Sequence, residues 1–203
     1  MEQVIQAIEV FALVTGVAYA VLEILQKNSM WVVGILTSTA CAFSFGVQHV
    51  WASMGLNIYY VFVSVWGLVQ WRRDSRRLAA EQKDNEKPAG IHLRHLPRKT
   101  LWFSLQLFVF GSLALIALLH LLHDQESAMD AIVAVLSAIG TWWLAKSYPQ
   151  QWLIWILADT LSTILCLTVG MHWMAVLYVA YTASAVYGWF HWMRRGVWID
   201  DNN

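Results

Sequence analysis

The chain has 203 residues, of which 59% are hydrophobic and only 13% charged, and its mean hydropathy is +0.51. So little polar surface cannot clothe a soluble globule of this size, and the composition places the protein in a bilayer. Formal net charge is zero, yet nine of the thirteen Lys and Arg lie between Arg72 and Lys99, a basic loop that membrane topology explains more cheaply than nucleic-acid binding.

About 20 apolar residues cross a hydrocarbon core of about 30 Å. At that length seven spans emerge, at 4–25, 30–49, 52–71, 101–122, 129–145, 152–171 and 172–193. The first apolar run lacks a basic start and continues into the bundle, so no cleavable signal peptide is expected. Glu23 closes the first span with Lys27 four residues on, a spacing for an intrahelical ion pair or a snorkelling carboxylate. In the third span Asn57, Tyr60 and Ser64 form an i, i+3, i+7 stripe, Gly67 reads as a close-packing point, and Trp71 ends the helix.

Residues 72–100 carry the basic run, with Pro88, Gly90 and Pro97 among the charges. We read them as a flexible or surface-lying cytoplasmic connection without chemistry. His92 and His95, and likewise His120 and His123, have metal-ligand spacing but lack a third and fourth ligand, so solvated or interfacial histidines are expected. The fourth span is a linker. In the sixth, Trp152, Trp155 and Asp159 again follow i, i+3, i+7. Asp159 lies about 10 Å deep at about 1.5 Å per residue, where a carboxylate costs roughly 2.5–3.5 kcal/mol. Two indoles and a carboxylate on one face suit a flat aromatic cation. The plainer alternatives are an interfacial anchor for Trp152 and local hydrogen bonds from Thr160, Ser162 or Thr163 for Asp159. Tyr178 and Tyr181 of the seventh span occupy the positions matching Asn57 and Tyr60.

That match belongs to a longer one. Residues 31–71 and 152–192 align without a gap, with nine identities in 41 positions, among them Trp31/Trp152, Thr39/Thr160, Tyr60/Tyr181, Gly67/Gly188 and Trp71/Trp192. The positive-inside rule makes the 72–100 loop, Lys27, Lys146 and Arg194-Arg195 internal, with the N-terminus outside and the C-terminus cytoplasmic. Because one extra helix restores chain direction, the two halves run parallel. The expected fold is an all-α integral membrane protein: a first three-helix bundle in 1–71, the basic loop 72–100, a linker helix 101–122, a second bundle 129–193 and a cytoplasmic tail 194–203.

Cys41 and Cys166 read as small buried hydrophobes, not a disulfide. No P-loop, Schiff-base lysine in the seventh span or HExxH motif is present, so neither an ATP-driven machine, a retinal protein nor a hydrolase is expected, and no cofactor or metal. A membrane scaffold is the remaining rival from another class.

In the order and spacing of Trp152-Leu153-Ile154-Trp155 with Asp159, Asn57-Ile58-Tyr59-Tyr60 with Trp66-Gly67, Tyr178 and Tyr181 before Tyr187-Gly188, and Trp71 and Trp192 closing each repeat, the chain resembles the PnuC-type vitamin transporters. The resemblance implies a three-plus-one-plus-three arrangement with pseudo-symmetry like that of SWEET proteins, in a bacterial inner membrane. It implies uniport by alternating access of a phosphate-free cationic vitamin precursor, nicotinamide riboside first, trapped inside by a separate cytosolic kinase. Leu22-Glu23-Ile24 and Asn57-Ile58-Tyr59-Tyr60 look more like the thiamine-carrying branch, so thiamine is the alternative cargo. The expected binding residues are Trp152, Trp155, Asp159, Asn57, Tyr60, Tyr178, Tyr181 and Glu23; whether the protein is a monomer or a homo-oligomer is left open.

Overall fold

The structure is a computed structural model that describes residues 17–47, 51–81, 91–121, 128–168, 170 and 172–199. Among the described residues its regular structure is helical apart from one pair of two-residue strands. Helix α1 is described over 17–24. It is followed by α2 (Ser29–Val47), α3 (Trp51–Glu81), α4 (Arg98–Leu121), α5 (Ala128–Ala145), α6 (Gln151–Thr168) and α7 (His172–Arg195), with β1 (His92–Leu93) before α4 and β2 (Val197–Trp198) after α7.

Large apolar side chains point outward, Leu36, Phe43, Phe62 and Phe110 among them, as expected of a surface that faces lipid rather than water. Among the described residues, α4, α5 and α6 are long and apolar enough by themselves to cross a membrane. In α2 the apolar stretch is shorter, Ser29–Phe43. The sequence reading also placed spans at 52–71 and 172–193, within α3 and α7; α3 runs on past the span into Arg72, Arg73, Arg76 and Arg77, and α7 carries Tyr, Ser, Thr and His among its apolar residues. Helix α4 packs on α5 through an edge-to-face contact of Phe103 with Trp142 and a hydrogen bond from Trp143 Nε1 to Ser104 Oγ of 3.0 Å. Otherwise it buries only Ser104, Ser112 and Leu119.

Residues 121 positions apart repeat the same local devices. The α1–α2 and α5–α6 turns each place a non-glycine residue in the left-handed region, Gln26 at φ 50° and Ser147 at φ 59°. Both close with the same bonds: Lys27 N–H to the Leu22 carbonyl and Gln26 N–H to Glu23, Tyr148 N–H to Trp143 and Ser147 N–H to Leu144. This double bond pattern satisfies the carbonyls a helix end leaves orphaned. Thr39 and Thr160 each donate to the carbonyl four residues back. A Cβ on Gly67 would meet the Trp31 ring at 2.6 Å, and a Cβ on Gly188 would meet the Trp152 ring at 2.6 Å. Only glycine lets an indole lie flat against the neighbouring helix at these two points.

Those indoles join Trp71 and Trp192 in a buried row across the bundle. Ring centroids are 5.0 Å apart for Trp31–Trp71, 6.3 Å for Trp71–Trp192 and 5.4 Å for Trp192–Trp152, all edge to face. Each central indole also reaches across: Trp71 Nε1 donates to the Leu144 carbonyl of α5 at 3.2 Å and Trp192 Nε1 to the Ile24 carbonyl of α1 at 3.0 Å. The row therefore stitches the first three helices to the last three.

The basic segment departs from expectation. Helix α3 continues ten residues past Trp71, to Glu81, and β1 is buried against the bundle in parallel pairing with β2, His92 opposite Val197 and Leu93 opposite Trp198. His92 is not solvated: it lies edge to face on Trp71, with its Nε2 3.7 Å from Asp74 Oδ2. Burial pushes its imidazole down to about 4 against the pull of Asp74, with Arg94 adding to the depression. Apolar Ile91 and Leu93 pull the segment inward, and the Arg94–Asp74 ion pair at 2.6 Å fixes it. Residues 82–90 lie outside the described residues, as do residues 4–16 of the first predicted span and His123 to Glu126.

Candidate functional site

Above the tryptophan row lies a cavity of about 520 Å³ whose walls come from α1, α2, α3, α5, α6 and α7. Helix α4 contributes nothing to it. Seven of the eight residues singled out from sequence line it: Glu23 from α1, Tyr60 from α3, Trp152, Trp155 and Asp159 from α6, and Tyr178 and Tyr181 from α7. Asn57 does not. The α6 residues arrive together because i, i+3 and i+7 share one helix face.

Glu23 neither snorkels nor pairs with Lys27. Helix α1 ends at residue 24, so the helical geometry that would carry an i, i+4 pair is gone before Lys27. Lys27 is exposed, whereas Glu23 is 6% exposed and sits on the cavity wall. Asp159, 8% exposed, lies within electrostatic reach of it from the opposite set of helices. Thr163 and Ser162 donate to backbone carbonyls of α6, not to the Asp159 carboxylate, which removes the local explanation for that acid.

The rest of the wall was partly legible. Tyr19 stands one turn before Glu23, and Ser38 stands at the repeat position of Asp159; both line the cavity, as do Ser64, Ser137 and Thr141. Tyr19 and Ser38 do not stand out as candidates in the sequence, although the alignment that pairs Ser38 with Asp159 carries the signal. Among the described residues no Lys, Arg or His lines the space. Among the described residues Glu23 Oε1 and the indole nitrogens of Trp152 and Trp155 are buried without a hydrogen-bond partner, although the Gln151 side chain lies beside the Glu23 carboxyl, and such burial is costly unless something else supplies a partner. The chemistry on offer is thus two carboxylates, two indoles, three tyrosines beside Tyr19 and a set of hydroxyls, with no counter-charge among the described residues, a combination that suits a cation carrying an aromatic ring.

A second hollow of about 540 Å³ lies between α3, α4 and α5. Its lining is apolar, from Leu56 and Val63 to Leu107, Leu115 and Trp142. Tyr59, its one phenol, spends its hydroxyl on the Ala138 carbonyl at 2.7 Å. It offers nothing with which to recognise a polar solute.

The sequence model of the family described as nicotinamide mononucleotide transporter matches residues 6–194. The chain belongs to that family. It is similar to the nicotinamide riboside transporter PnuC of Escherichia coli, 22% identical over 210 residues that cover 92% of this chain and 85% of the relative. It is similar too to the protein of the same name from Neisseria mucosa, 23% identical over 194 residues that cover 90% of this chain and 70% of the relative. A crystal structure of the vitamin B3 transporter PnuC superposes with a TM-score of 0.65 at 22% identity, covering 90% of this chain and 79% of the other. Family membership makes the protein a membrane transporter and not an enzyme, and the helical architecture agrees with the solved fold.

Proposed function

We propose that the protein carries nicotinamide riboside across the bacterial inner membrane as a facilitative transporter. The observation that carries this reading is a cavity among the helices with two carboxylates, two indoles and, among the described residues, no basic side chain, which matches a cation built on an aromatic ring. The named relatives favour nicotinamide riboside over thiamine. Within the cavity Asp159 and Glu23 supply the attraction for the positive ring, Trp155 and Trp152 stack on it or bond its polar atoms, and Tyr60, Tyr178 and Tyr181 fit the ribose hydroxyls. Asn57 is left out of the set because it is off the wall.

The architecture proposed is two parallel three-helix bundles, α1–α3 and α5–α7, with α4 as the peripheral linker. Its support is the set of devices repeated 121 residues apart and the burial of so little of α4. Rocking of one bundle against the other exposes the cavity to either side in turn. The charge pattern puts residues 91–99 and the tail in the cytoplasm. With no coupling ion, entry becomes one-way only when a separate cytosolic kinase phosphorylates the cargo.

Titration of the purified protein with nicotinamide riboside and with thiamine, followed by tryptophan fluorescence and then by counterflow in liposomes, tests the assignment. Saturable quenching and exchange with nicotinamide riboside are expected. Exchange of thiamine alone would transfer the protein to the other cargo.

A further inference from the structure

Ile91, His92 and Leu93 are 5%, 2% and 0% exposed, although they stand in the most polar stretch of the chain. So short a segment stays buried only if something holds it, and both sets of helices do. From the first set, Gln26 clasps His92 with both ends of its amide: Oε1 accepts from the His92 N–H at 2.7 Å and Nε2 donates to the His92 carbonyl at 3.0 Å. Asp74, at the far end of α3, accepts from the Arg94 guanidinium at 2.6 Å. From the second set, the Ser147 carbonyl accepts from the Arg94 N–H at 3.1 Å. In the tail that follows α7, the Val197 and Ile199 N–H groups donate to the Ile91 and Leu93 carbonyls at 2.9 and 2.8 Å. Beneath the segment, Ile91 and Leu93 pack into the buried cluster of Trp31, Trp71 and Trp192 that ends on Trp152 at the cavity wall.

The segment therefore spans the seam between the two sets, where Gln26 Nε2 and Ser147 Oγ are 3.5 Å apart. If the sets swing apart at this end, it cannot remain bonded to both. Its bonds to the first set include a charge-assisted pair and a two-point amide clasp, whereas those to the second include the Arg94–Ser147 backbone bond and the neutral backbone pairing of β1 with β2. Val197 and Trp198 of β2 are 41% and 39% exposed. The β1–β2 pairing is therefore the line open to solvent, where water can replace each bond as it parts. We propose that residues 91–94, paired with 197–199, are a latch that holds this end of the cavity shut, and that parting of the β1–β2 pair and of the Arg94–Ser147 bond is the step that opens it. This rests on the alternating-access reading above.

The His95 and Trp198 rings stack at 4.1 Å on the outer side of the latch, which gives a place to lock it without touching the cavity. In full-length protein with Cys41 and Cys166 replaced by Ser, His95→Cys and Trp198→Cys would be bridged by a short, reducible bis-methanethiosulfonate. Counterflow of nicotinamide riboside should fall at least tenfold on bridging and return on reduction, while fluorescence titration continues to report binding. Equal counterflow in bridged and reduced protein overturns the latch. Hydrogen exchange supplies a reading that needs no cargo. The amides of Arg94, Val197 and Ile199 should exchange together, ahead of the α5 and α6 cores, and slow on bridging. Exchange of these amides only with global unfolding overturns the latch even if the cargo assignment stands. Cooperative exchange slowed by the bridge in a protein that carries neither vitamin sustains the latch and sinks the cargo assignment instead.

Discussion

At the scale of single residues, Glu23 and Asp159 line one cavity with no basic side chain beside them among the described residues. Each carboxylate costs free energy to bury, and the charge that offsets it is a proton taken up or a cation brought in from outside the protein. Asp159→Asn keeps the shape and removes the charge, so the Kd for nicotinamide riboside should rise by the value of one partly buried charge interaction, about 1–3 kcal/mol. Calorimetric or fluorescence titration measures this; unchanged affinity in folded protein would remove Asp159 from the site. Outside the membrane, His92 supplies a pH signature. Its imidazole takes a proton near 6.5 in the unfolded chain but only near 4 in the fold. Stability is whole above pH 6.5 and declines as pH falls toward 4, by up to about 3 kcal/mol for a shift of this order. Melting in detergent from pH 7.5 to 4.5 should show that decline, and His92→Asn should flatten it.

Helices meet in this protein through rings laid on glycine. Gly67→Ala and Gly188→Ala would each drive a methyl to 2.6 Å from an indole carbon, and the rings of Trp31 and Trp152 are too closely surrounded to retreat, so a loss of about 1–3 kcal/mol each is expected. Thermal unfolding in detergent checks it; an unshifted midpoint would mean the indoles have room. The same scale explains why α6 was read well and α3 less so. Trp152, Trp155 and Asp159 share a face within two turns, and periodicity alone finds such a group. Asn57 shares the angular face of Tyr60 and Ser64 but lies about 10 Å along the axis from Ser64 and is not among the lining residues. Periodicity reports angle and says nothing of depth. Tyr178, at the matching position, still lines the cavity; its side chain is the longer.

Over the whole molecule, the row of four tryptophans joins the two sets of helices at one end of the cavity. Trp71→Phe and Trp192→Phe each delete one bond across the seam and should cost about 0.5–1.5 kcal/mol. The double variant should lose less or more than the sum because the two rings touch. A thermal-melt cycle with both single variants measures that coupling, and strict additivity would argue that the row is not one unit. The orientation is open to a simple check: a fluorescent protein fused after Asn203 that matures only in the cytoplasm should glow, and a dark fusion would reverse the topology.

Composition was enough to put this chain in a membrane, because a bilayer tolerates no other covering for so many apolar side chains, and periodicity was enough to say which faces of α6 and α7 turn inward. The alignment of the chain with itself already paired Trp31 with Trp152 and Gly67 with Gly188, which the fold uses as equivalent contacts. The fate of residues 91–94 and of Glu23 was decided elsewhere. A two-residue strand has no period to read, its partner lies more than 100 residues away, and Ile91 and Leu93 are buried only because two turns with left-handed Gln26 and Ser147 come together beneath them. Glu23 looked like an acid at a helix end; it became a cavity acid because the chain turns at Gln26 and the second set of helices closes over it. Local rules describe what a segment prefers, whereas burial of a charged or polar group depends on what the rest of the chain brings to cover it.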